Sequence, residues 1–395
     1  QLLRAHDSTS GGFGGAPKFP QPMAVQLLLR SNQSTAIDAA RHTLDHMARG
    51  GIYDHLGGGF ARYSVDARWL VPHFEKMLYD NALLAGAYLD AFLLTKDDTY
   101  RRVVGETLDY VLRDMTDPAG GFYSTEDADS EGEEGLFYTW TPEEIRTVLG
   151  DEQAETFARV YGVTDAGNFE GRNILHLGKT LAQYAALLGR DEAQLSEELD
   201  KCRAKLFEVR ETRVRPGRDD KVLVAWNGLM IDAMARAGGA LAEPRYVDAA
   251  AAAADFLLTQ LRRNDGRLLH TGRNGEAKRD AYLDDYVCLA NGLVSLYEAT
   301  FAPQWLAAAV ELADIVLDKF ADDDRGGFFF TAEDHEELIT RSKEFTDAST
   351  PSGNGMAATM LLRLGAILGH GNDVDSAIGT WQSAAELIHR VPMAT

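Results

Sequence analysis

Two kinds of helix alternate along this chain, and the alternation limits the folds that it can adopt. Between Ala82 and Leu94 only Asp90 is charged, and no charged residue lies between 287 and 297. The helices that follow, such as 100–115, carry apolar residues at the spacing of one buried stripe. A helix that is apolar on all faces must be surrounded by protein, whereas an amphipathic helix can face water. One ring of buried helices inside a second, half-exposed ring satisfies both requirements.

Six helical pairs account for most of the sequence. The predicted segments are 23–29 with 36–47, 78–94 with 100–115, 141–161 with 180–209, 223–241 with 246–261, 286–299 with 305–320, and 356–368 with 374–389. We therefore predict an all-α fold, an (α/α)6 toroid of six helical hairpins with short β-like loop segments. Residues 1–395 are expected to form this toroid as a single domain.

Repeated loop signals support the pairing. Outer helices end in Asp-Pro-Ala-Gly-Gly-Phe-Tyr (117–123), Asn-Asp-Gly-Arg-Leu (264–268) and Asp-Asp-Arg-Gly-Gly-Phe (323–328), which are helix stops followed by strand-like residues. Inner helices begin near Asn81, Asn227, Asn291 and Asn354. The last three asparagines are 64 and 63 residues apart, a period long enough for one hairpin and its loop.

Composition excludes several classes of partner. The net charge of −22 argues against nucleic acids and anionic membranes, because no basic block offsets it. Cys202 and Cys288 stand alone, so neither a disulfide framework nor a Cys-x-x-Cys motif is present. No segment reaches the ~18 apolar residues of a transmembrane helix, and no signal-peptide pattern begins the chain. We expect a cytoplasmic protein with no metal and no cofactor; the sequence leaves its oligomeric state open.

The loop at 51–81 is the richest in groups that bind ligands or transfer protons. In a toroid, the loops that enter the inner helices meet at one mouth, where helix N-termini favour anions and hydrogen-bond acceptors. The candidate catalytic residues are Asp54, His55, His73, Glu75, Asp80, Glu126, Asp127 and Asp285. The candidate substrate-binding residues are Tyr53, Arg62, Trp69, Tyr79, Arg172, Trp226, Asn227, Asp284 and Tyr286. Asp80 and Asn81 also suit simple capping of a helix.

Carboxylates, aromatic rings and amides around a deep cavity suit a sugar, either a small molecule or an oligosaccharide. Glycoside hydrolysis needs two carboxyl groups. Asp80 or Asp54 is the candidate base, and Glu126, Asp127 or Asp285 is the candidate acid.

Two other interpretations remain open. A sugar epimerase or isomerase would exchange a proton between His55 and His73, because imidazole titrates near neutral pH. A non-catalytic module would instead bind a glycan, a peptide or a protein in the same mouth. The loop motifs also fit a purely structural role.

Several long motifs are similar to one known family. They are Gly-Gly-Phe-Gly-Gly-Ala-Pro-Lys-Phe-Pro (11–20), Pro-His-Phe-Glu-Lys-Met-Leu-Tyr-Asp-Asn (72–81), Glu-Asp-Ala-Asp-Ser-Glu-Gly (126–132), Trp-Asn-Gly-Leu (226–229) and Asp-Asp-Tyr (284–286). Over almost its whole length the chain resembles the spermatogenesis-associated, thioredoxin-domain-containing family. The resemblance implies a toroid similar to N-acylglucosamine 2-epimerases and six-hairpin glycosidases. It also implies a piece of a longer protein whose thioredoxin-like domain is not in this sequence, and the non-catalytic module would work with that domain.

Overall fold

The structure is a computed structural model that describes residues 1–335 and 340–391, most of them helical. The helices are α1 (Leu2–Ala5), α2 (Pro22–Leu29), α3 (Ser34–Arg49), α4 (Leu78–Thr95), α5 (Asp98–Asp114), α6 (Pro142–Leu149), α7 (Asp151–Tyr161), α8 (Leu181–Leu188), α9 (Glu192–Arg210), α10 (Val224–Leu241), α11 (Pro244–Gln260), α12 (Leu283–Thr300), α13 (Pro303–Lys319), α14 (Gly353–Leu368) and α15 (Gly371–Arg390).

Short strands lie in the loops between the helices. They are β1 (Tyr63–Ser64), β2 (Pro72–His73), β3 (Lys76–Met77), β4 (Thr125–Glu126), β5 (Asp129–Ser130), β6 (Glu133–Glu134), β7 (Arg218–Asp219), β8 (Val222–Leu223), β9 (Leu269–Arg273) and β10 (Glu276–Asp280). They pair antiparallel in the orders β1-β2, β3-β4-β7, β5-β6 and β10-β9-β8. The predicted β-like loop segments are therefore present.

Helices α2, α4, α10, α12 and α14 stand side by side around the centre of the molecule. Helix α4 packs on α2 and α10, α10 packs on α12, and α12 packs on α14. Each inner helix also packs on the helix that follows it in the ring, namely α3, α5, α11, α13 or α15. Helix α12 is buried on nearly every face from Leu283 to Leu296, whereas α5 buries one stripe that includes Val104 and Leu108. The two predicted kinds of helix form the two predicted layers, and the all-α toroid class is confirmed.

The third predicted pair occupies a different place. Helices α6–α9 bury a separate hydrophobic cluster that includes Trp140, Phe157 and Leu195, and α4 packs directly on α10. The expectation that this segment supplies one inner and one outer helix is therefore corrected. The periodicity identified helices here, but helical periodicity does not say which layer a helix packs against.

Three of the four repeated asparagines hold loops onto inner helices. The prediction that an inner helix begins near Asn291 is wrong, because α12 begins at Leu283 and Asn291 Nδ2 donates instead to the Val287 and Met356 carbonyls. Asn81 holds Phe60, Asn227 holds Phe122, and Asn354 holds Phe328. In the middle pair, the Phe122 N–H donates to Asn227 Oδ1 at 2.7 Å, and Asn227 Nδ2 donates to the Phe122 carbonyl at 2.9 Å. Each phenylalanine follows a Gly-Gly pair. The two repeated sequence signals are thus two halves of one contact, which we call the asparagine clamp.

Two further features concern the cysteines and the lengths of the helices. Cys202 and Cys288 are both buried and unbridged. Within residues 1–335 and 340–391, no helix combines the length and the apolar character needed to cross a membrane.

Candidate functional site

A cavity of about 1220 Å³ lies at the centre of the ring. All five inner helices contribute to its walls, together with one face of α15 and the segment 345–352. The polar and charged side chains that line it are Gln21, Gln26, Arg30, Arg62, Tyr79, Asp80, Asp232, Arg236, Asn291, Ser295, Glu298, Asp347, Ser349, Ser352, Asn354, Thr359, Arg363 and Thr380. A large concave space with a few converging polar groups is the usual place for a ligand.

Asp80 is the most unusual group in this cavity. It lies in the first turn of α4 and is 6% exposed. Its Oδ2 atom is buried and makes no hydrogen bond to any described residue. Burial raises the pKa of Asp80 well above its usual range, Arg62 opposes that shift, and Glu75 adds to it. Burial therefore favours the neutral, protonated form of the Asp80 carboxyl group at the cavity wall.

Three predicted residues, Arg62, Glu75 and Tyr79, lie close to Asp80, and they contact two others, His73 and Trp226. Arg62 Nη1 donates to Glu75 Oε2 at 3.0 Å, and His73 Nε2 lies 3.8 Å from the same oxygen. The Tyr79 ring packs edge-on against Trp226, with ring centroids 4.8 Å apart. Burial raises the pKa of Tyr79, Asp80 in its ionised form adds to the rise, and Arg62 opposes it. Of this group, Arg62, Tyr79 and Asp80 line the cavity.

Asp54 belongs to a different environment. Its carboxylate accepts hydrogen bonds from Arg210 Nη1 at 2.8 and 2.9 Å and from Lys76 Nζ at 2.9 Å. Burial alone would raise the pKa of Asp54, but Arg210 and Lys76 outweigh it and hold that pKa well below its usual range. Lys76 also lies over the Tyr110 ring, 4.3 Å from the centroid. The Asp54 carboxylate is thus fully occupied in a buried ion-pair cluster outside the cavity lining.

His55 and Tyr53 are buried beside this cluster. Burial lowers the pKa of His55 to about 4, although its ring nitrogen Nε2 is hydrogen-bonded to the Gly50 carbonyl at 2.9 Å. The imidazole is therefore neutral at physiological pH. The Tyr53 hydroxyl donates to Glu106. Neither side chain lines the cavity.

Four further predicted residues also lie away from the cavity lining. Glu126 accepts a hydrogen bond from the Tyr138 hydroxyl, and Asp127 accepts one from the Ala128 N–H at 2.7 Å. Arg172 pairs with Glu144 at 2.8 Å in the α6–α9 segment. Trp69 is fully buried, and its Nε1 donates to the Ser10 carbonyl at 2.8 Å. The structure does not bring these groups to Asp80.

The Asp284–Asp285–Tyr286 motif begins helix α12. Asp285 is buried and accepts hydrogen bonds from the Ala225 N–H at 3.0 Å and from His270 Nδ1 at 2.8 Å. The Tyr286 hydroxyl accepts the Leu268 N–H at 3.0 Å. The side chains of Asp285 and Tyr286 are therefore engaged in hydrogen bonds that hold the fold together, as the Asn227 side chain is in the clamp to Phe122.

Asp284 remains a titrating group at the start of the same helix. Burial, then Asp285, then Glu344 raise the pKa of Asp284 to about 7. Its Oδ1 atom lies where a side chain on Gly353 would begin, 2.2 Å from the ideal Cβ position. Residue 353 must therefore be glycine for Asp284 to keep this place.

Sequence reasoning missed two polar features of the cavity. Asp347, on the segment before α14, accepts the Ser352 N–H at 2.8 Å, and burial raises its pKa. Farther along the inner helices, Arg363 pairs with Glu298 at 2.9 Å and lies 3.8 Å from Asp232. Arg363 is the only charged residue between 356 and 368. A lone charge on an otherwise apolar inner helix is the signal that could have identified Arg363 as part of the cavity wall.

Comparison with known proteins relates the chain to one group of relatives. It is 38% identical to human spermatogenesis-associated protein 20 over 437 aligned positions, which cover 100% of this chain and 56% of the human protein. The mouse protein of that name is 36% identical, with 100% and 55% covered. The chain is a homologue of these proteins along its whole length. The predicted relationship to the spermatogenesis-associated family is confirmed, and the chain spans little more than half the length of these relatives. No protein-family model matches it.

One solved structure supports the fold. A mannosidase of glycoside hydrolase family 76 from Bacteroides thetaiotaomicron superposes with a TM-score of 0.54, covering 95% of this chain and 81% of that protein. The two sequences are 11% identical, so the likeness shows a shared toroid and no more. A cellobiose 2-epimerase from Spirochaeta thermophila aligns with a TM-score of 0.41, at 16% identity and 93% coverage of both chains.

Proposed function

We propose that this toroid is a carbohydrate-active enzyme that hydrolyses a glycosidic bond in the central cavity, with Asp80 as the proton donor. The observation that carries the proposal is the buried Oδ2 of Asp80, which has no hydrogen-bond partner among the described residues. A carboxylic acid that stays protonated at neutral pH is what a glycosidase needs on the leaving-group side of the bond. Arg62 would stabilise the carboxylate that Asp80 becomes after it gives up its proton.

The second carboxyl group of the proposal is Asp347. It lines the same cavity, where burial raises its pKa and the Ser352 N–H, donating at 2.8 Å, opposes part of that rise. In the proposed step, Asp347 takes a proton from a water molecule whose oxygen attacks the anomeric carbon. The glycosidic C–O bond breaks, and the leaving oxygen takes the proton of Asp80.

Hydrolysis is favoured over epimerisation by the placement of the histidines. An epimerase would need two proton carriers beside one sugar, for which the sequence offered His55 and His73. No histidine lines the cavity within the described parts of the chain. His55 is buried and neutral, and His73 pairs with Glu134 at 2.8 Å outside the cavity lining.

Two substrate types separate the roles of the two carboxyl groups. Wild-type protein would be screened for turnover of 4-nitrophenyl glycosides and of the matching disaccharides, the latter by NMR. We expect Asp80→Asn to lower kcat/KM for the disaccharide by about 10²–10⁴-fold. The loss on the nitrophenyl glycoside should be much smaller, because that leaving group needs no acid. Asp347→Asn should impair both substrates alike.

Asp129→Asn, at an exposed position on β5, is the matched control and should leave both rates unchanged. If Asp80→Asn lowered kcat/KM equally for the disaccharide and the nitrophenyl glycoside, Asp80 would not be the general acid. A wild-type protein that binds sugars without turning any of them over would favour the non-catalytic module.

A further inference from the structure

We propose that the Phe19 ring, which lies in the cavity wall and packs at a tilt of 31° on Tyr63, forms a sugar-binding subsite for the unit just outside the bond to be cleaved. The inference rests on the proposed function and narrows its substrate class to oligosaccharides. It uses the Gly11–Pro20 motif, to which the mechanism above gives no role.

The rings form a platform of three members, Phe19, Tyr63 and His73. Phe19 and Tyr63 have ring centroids 4.8 Å apart, and Tyr63 and His73 stack at 5.0 Å with an interplanar angle of 24°. Phe19 is 42% exposed and lines the cavity together with Arg62. The platform therefore ends in a partly exposed aromatic ring on a cavity wall that also contains the Arg62 guanidinium group.

The backbone under the platform is held rigidly. The Lys18 N–H donates to the Ser64 carbonyl at 2.7 Å, and the Ser64 N–H donates to the Lys18 carbonyl at 2.9 Å. These two residues directly flank Phe19 and Tyr63 in the sequence. The Lys18 side chain is fully buried, and its Nζ donates to Asp7, to the Gly11 carbonyl and to the Ala67 carbonyl at 2.6–2.8 Å. All three ammonium donors are used, so the residue next to Phe19 in the sequence is firmly anchored.

A preformed aromatic face at a cavity mouth suits the apolar C–H face of a pyranose ring. Single exposed apolar side chains are common on protein surfaces and mean little by themselves. Here the Phe19 ring packs on Tyr63, its neighbour Lys18 is anchored by buried contacts, and it lines the same cavity as Arg62 of the Arg62–Glu75 pair. That pair can meet the hydroxyl groups at the edge of a sugar. Preorganisation reduces the cost of ordering on binding, which is the physical benefit of such a rigid platform.

The test is a binding titration, so it does not depend on turnover. Cellotetraose, maltotetraose, mannotetraose and chitotetraose would each be titrated by saturation-transfer NMR into wild-type protein and into Phe19→Ala, Phe19→Trp and Phe301→Ala. Phe301 is 76% exposed at the far end of α12 and does not line the cavity, so its variant is the control. We expect at least one tetrasaccharide to bind the wild type at millimolar concentration.

Phe19→Ala should weaken that binding about fivefold to tenfold, whereas Phe19→Trp and Phe301→Ala should bind like the wild type. Equal affinity of Phe19→Ala and wild type would overturn the subsite, and so would the absence of saturable binding by all four sugars. Weaker binding by Phe19→Ala in a protein without turnover would support the subsite and count against the proposed hydrolysis. If the protein turned over a tetrasaccharide and Phe19→Ala left its KM unchanged, the result would support the proposed hydrolysis and contradict the subsite.

Discussion

Two buried carboxyl groups in this protein should respond in opposite ways to the same substitution. Asp54 faces Arg210 and Lys76, whose side chains are each 3% exposed. Asp80 has an oxygen without any described hydrogen-bond partner and a raised pKa. Replacing either residue with asparagine keeps the size of the side chain and removes the possibility of a negative charge.

Asp54→Asn leaves two buried cations without their carboxylate. Breaking one side of a buried ion pair typically costs about 3–5 kcal/mol, and here two hydrogen bonds from Arg210 and one from Lys76 are affected. Asp80→Asn removes a carboxyl group whose ionised form is disfavoured by burial. Because the unfolded side chain is ionised at pH 7, we expect Asp80→Asn to raise the free energy of unfolding at that pH.

The pH dependence of the free energy of unfolding should also differ. The pKa of Asp54 is depressed by folding, so its contribution is present above its unfolded pKa of 3.8 and is lost as the pH falls through the folded value. The pKa of Asp80 is raised, so its contribution is present below 3.8 and is lost as the pH rises through the folded value. Urea unfolding of both variants across the pH range, followed by circular dichroism, measures both effects. A loss for Asp80→Asn as large as that for Asp54→Asn would refute the assignment of Asp80 as an unpartnered acid.

Two further predictions concern the clamp and the start of α12. Asn227→Asp puts an acceptor in place of the amide that donates to the Phe122 carbonyl, so urea unfolding should show a loss of about 1–3 kcal/mol; an unchanged midpoint would contradict the clamp. Asp284 has a folded pKa of about 7, above its unfolded value, so its contribution to stability is present below pH 3.8 and is lost as the pH rises to 7 and above. In that interval Asp284 contributes a negative slope of unfolding free energy against pH, so Asp284→Asn should make the slope more positive by up to about 1.4 kcal/mol per pH unit. An unaltered slope would count against this titration.

The layers of the toroid follow from local patterns in the sequence. The apolar helix 287–297 and the amphipathic helix 100–115 are each recognisable from their own residues, and burial then decides which is inner and which is outer. The clamp was visible as two separate signals, Gly-Gly-Phe and Asn-Gly. Their pairing was not visible, because Phe122 and Asn227 lie 105 residues apart.

Long-range contacts decide which of the predicted carboxyl groups are held in ion pairs and which line the cavity. Asp54 and Asp80 lie in the same motif-rich stretch, and nothing nearby in the sequence distinguishes them. The difference comes from Arg210, which is 156 residues from Asp54 and reaches its carboxylate from the end of α9. No such cation pairs with Asp80 among the described residues. Sequence composition could name both carboxyl groups as candidates, but only the folded arrangement shows which one is already neutralised.

The segment that contains α6–α9 leaves and re-enters the ring through strands β4 and β7, where Glu126 and Arg218 are direct antiparallel partners. Its two ends are therefore one strand spacing apart, about 4.8 Å, and a tight turn could replace everything between them without breaking the circuit of inner helices. Such a shortened ring would nevertheless lack Arg210. It would keep Asp54 and Lys76 but lose one of the two positive charges that keep the aspartate ionised. The α6–α9 segment therefore supplies, through Arg210, a second cation that stabilises a carboxylate of the ring.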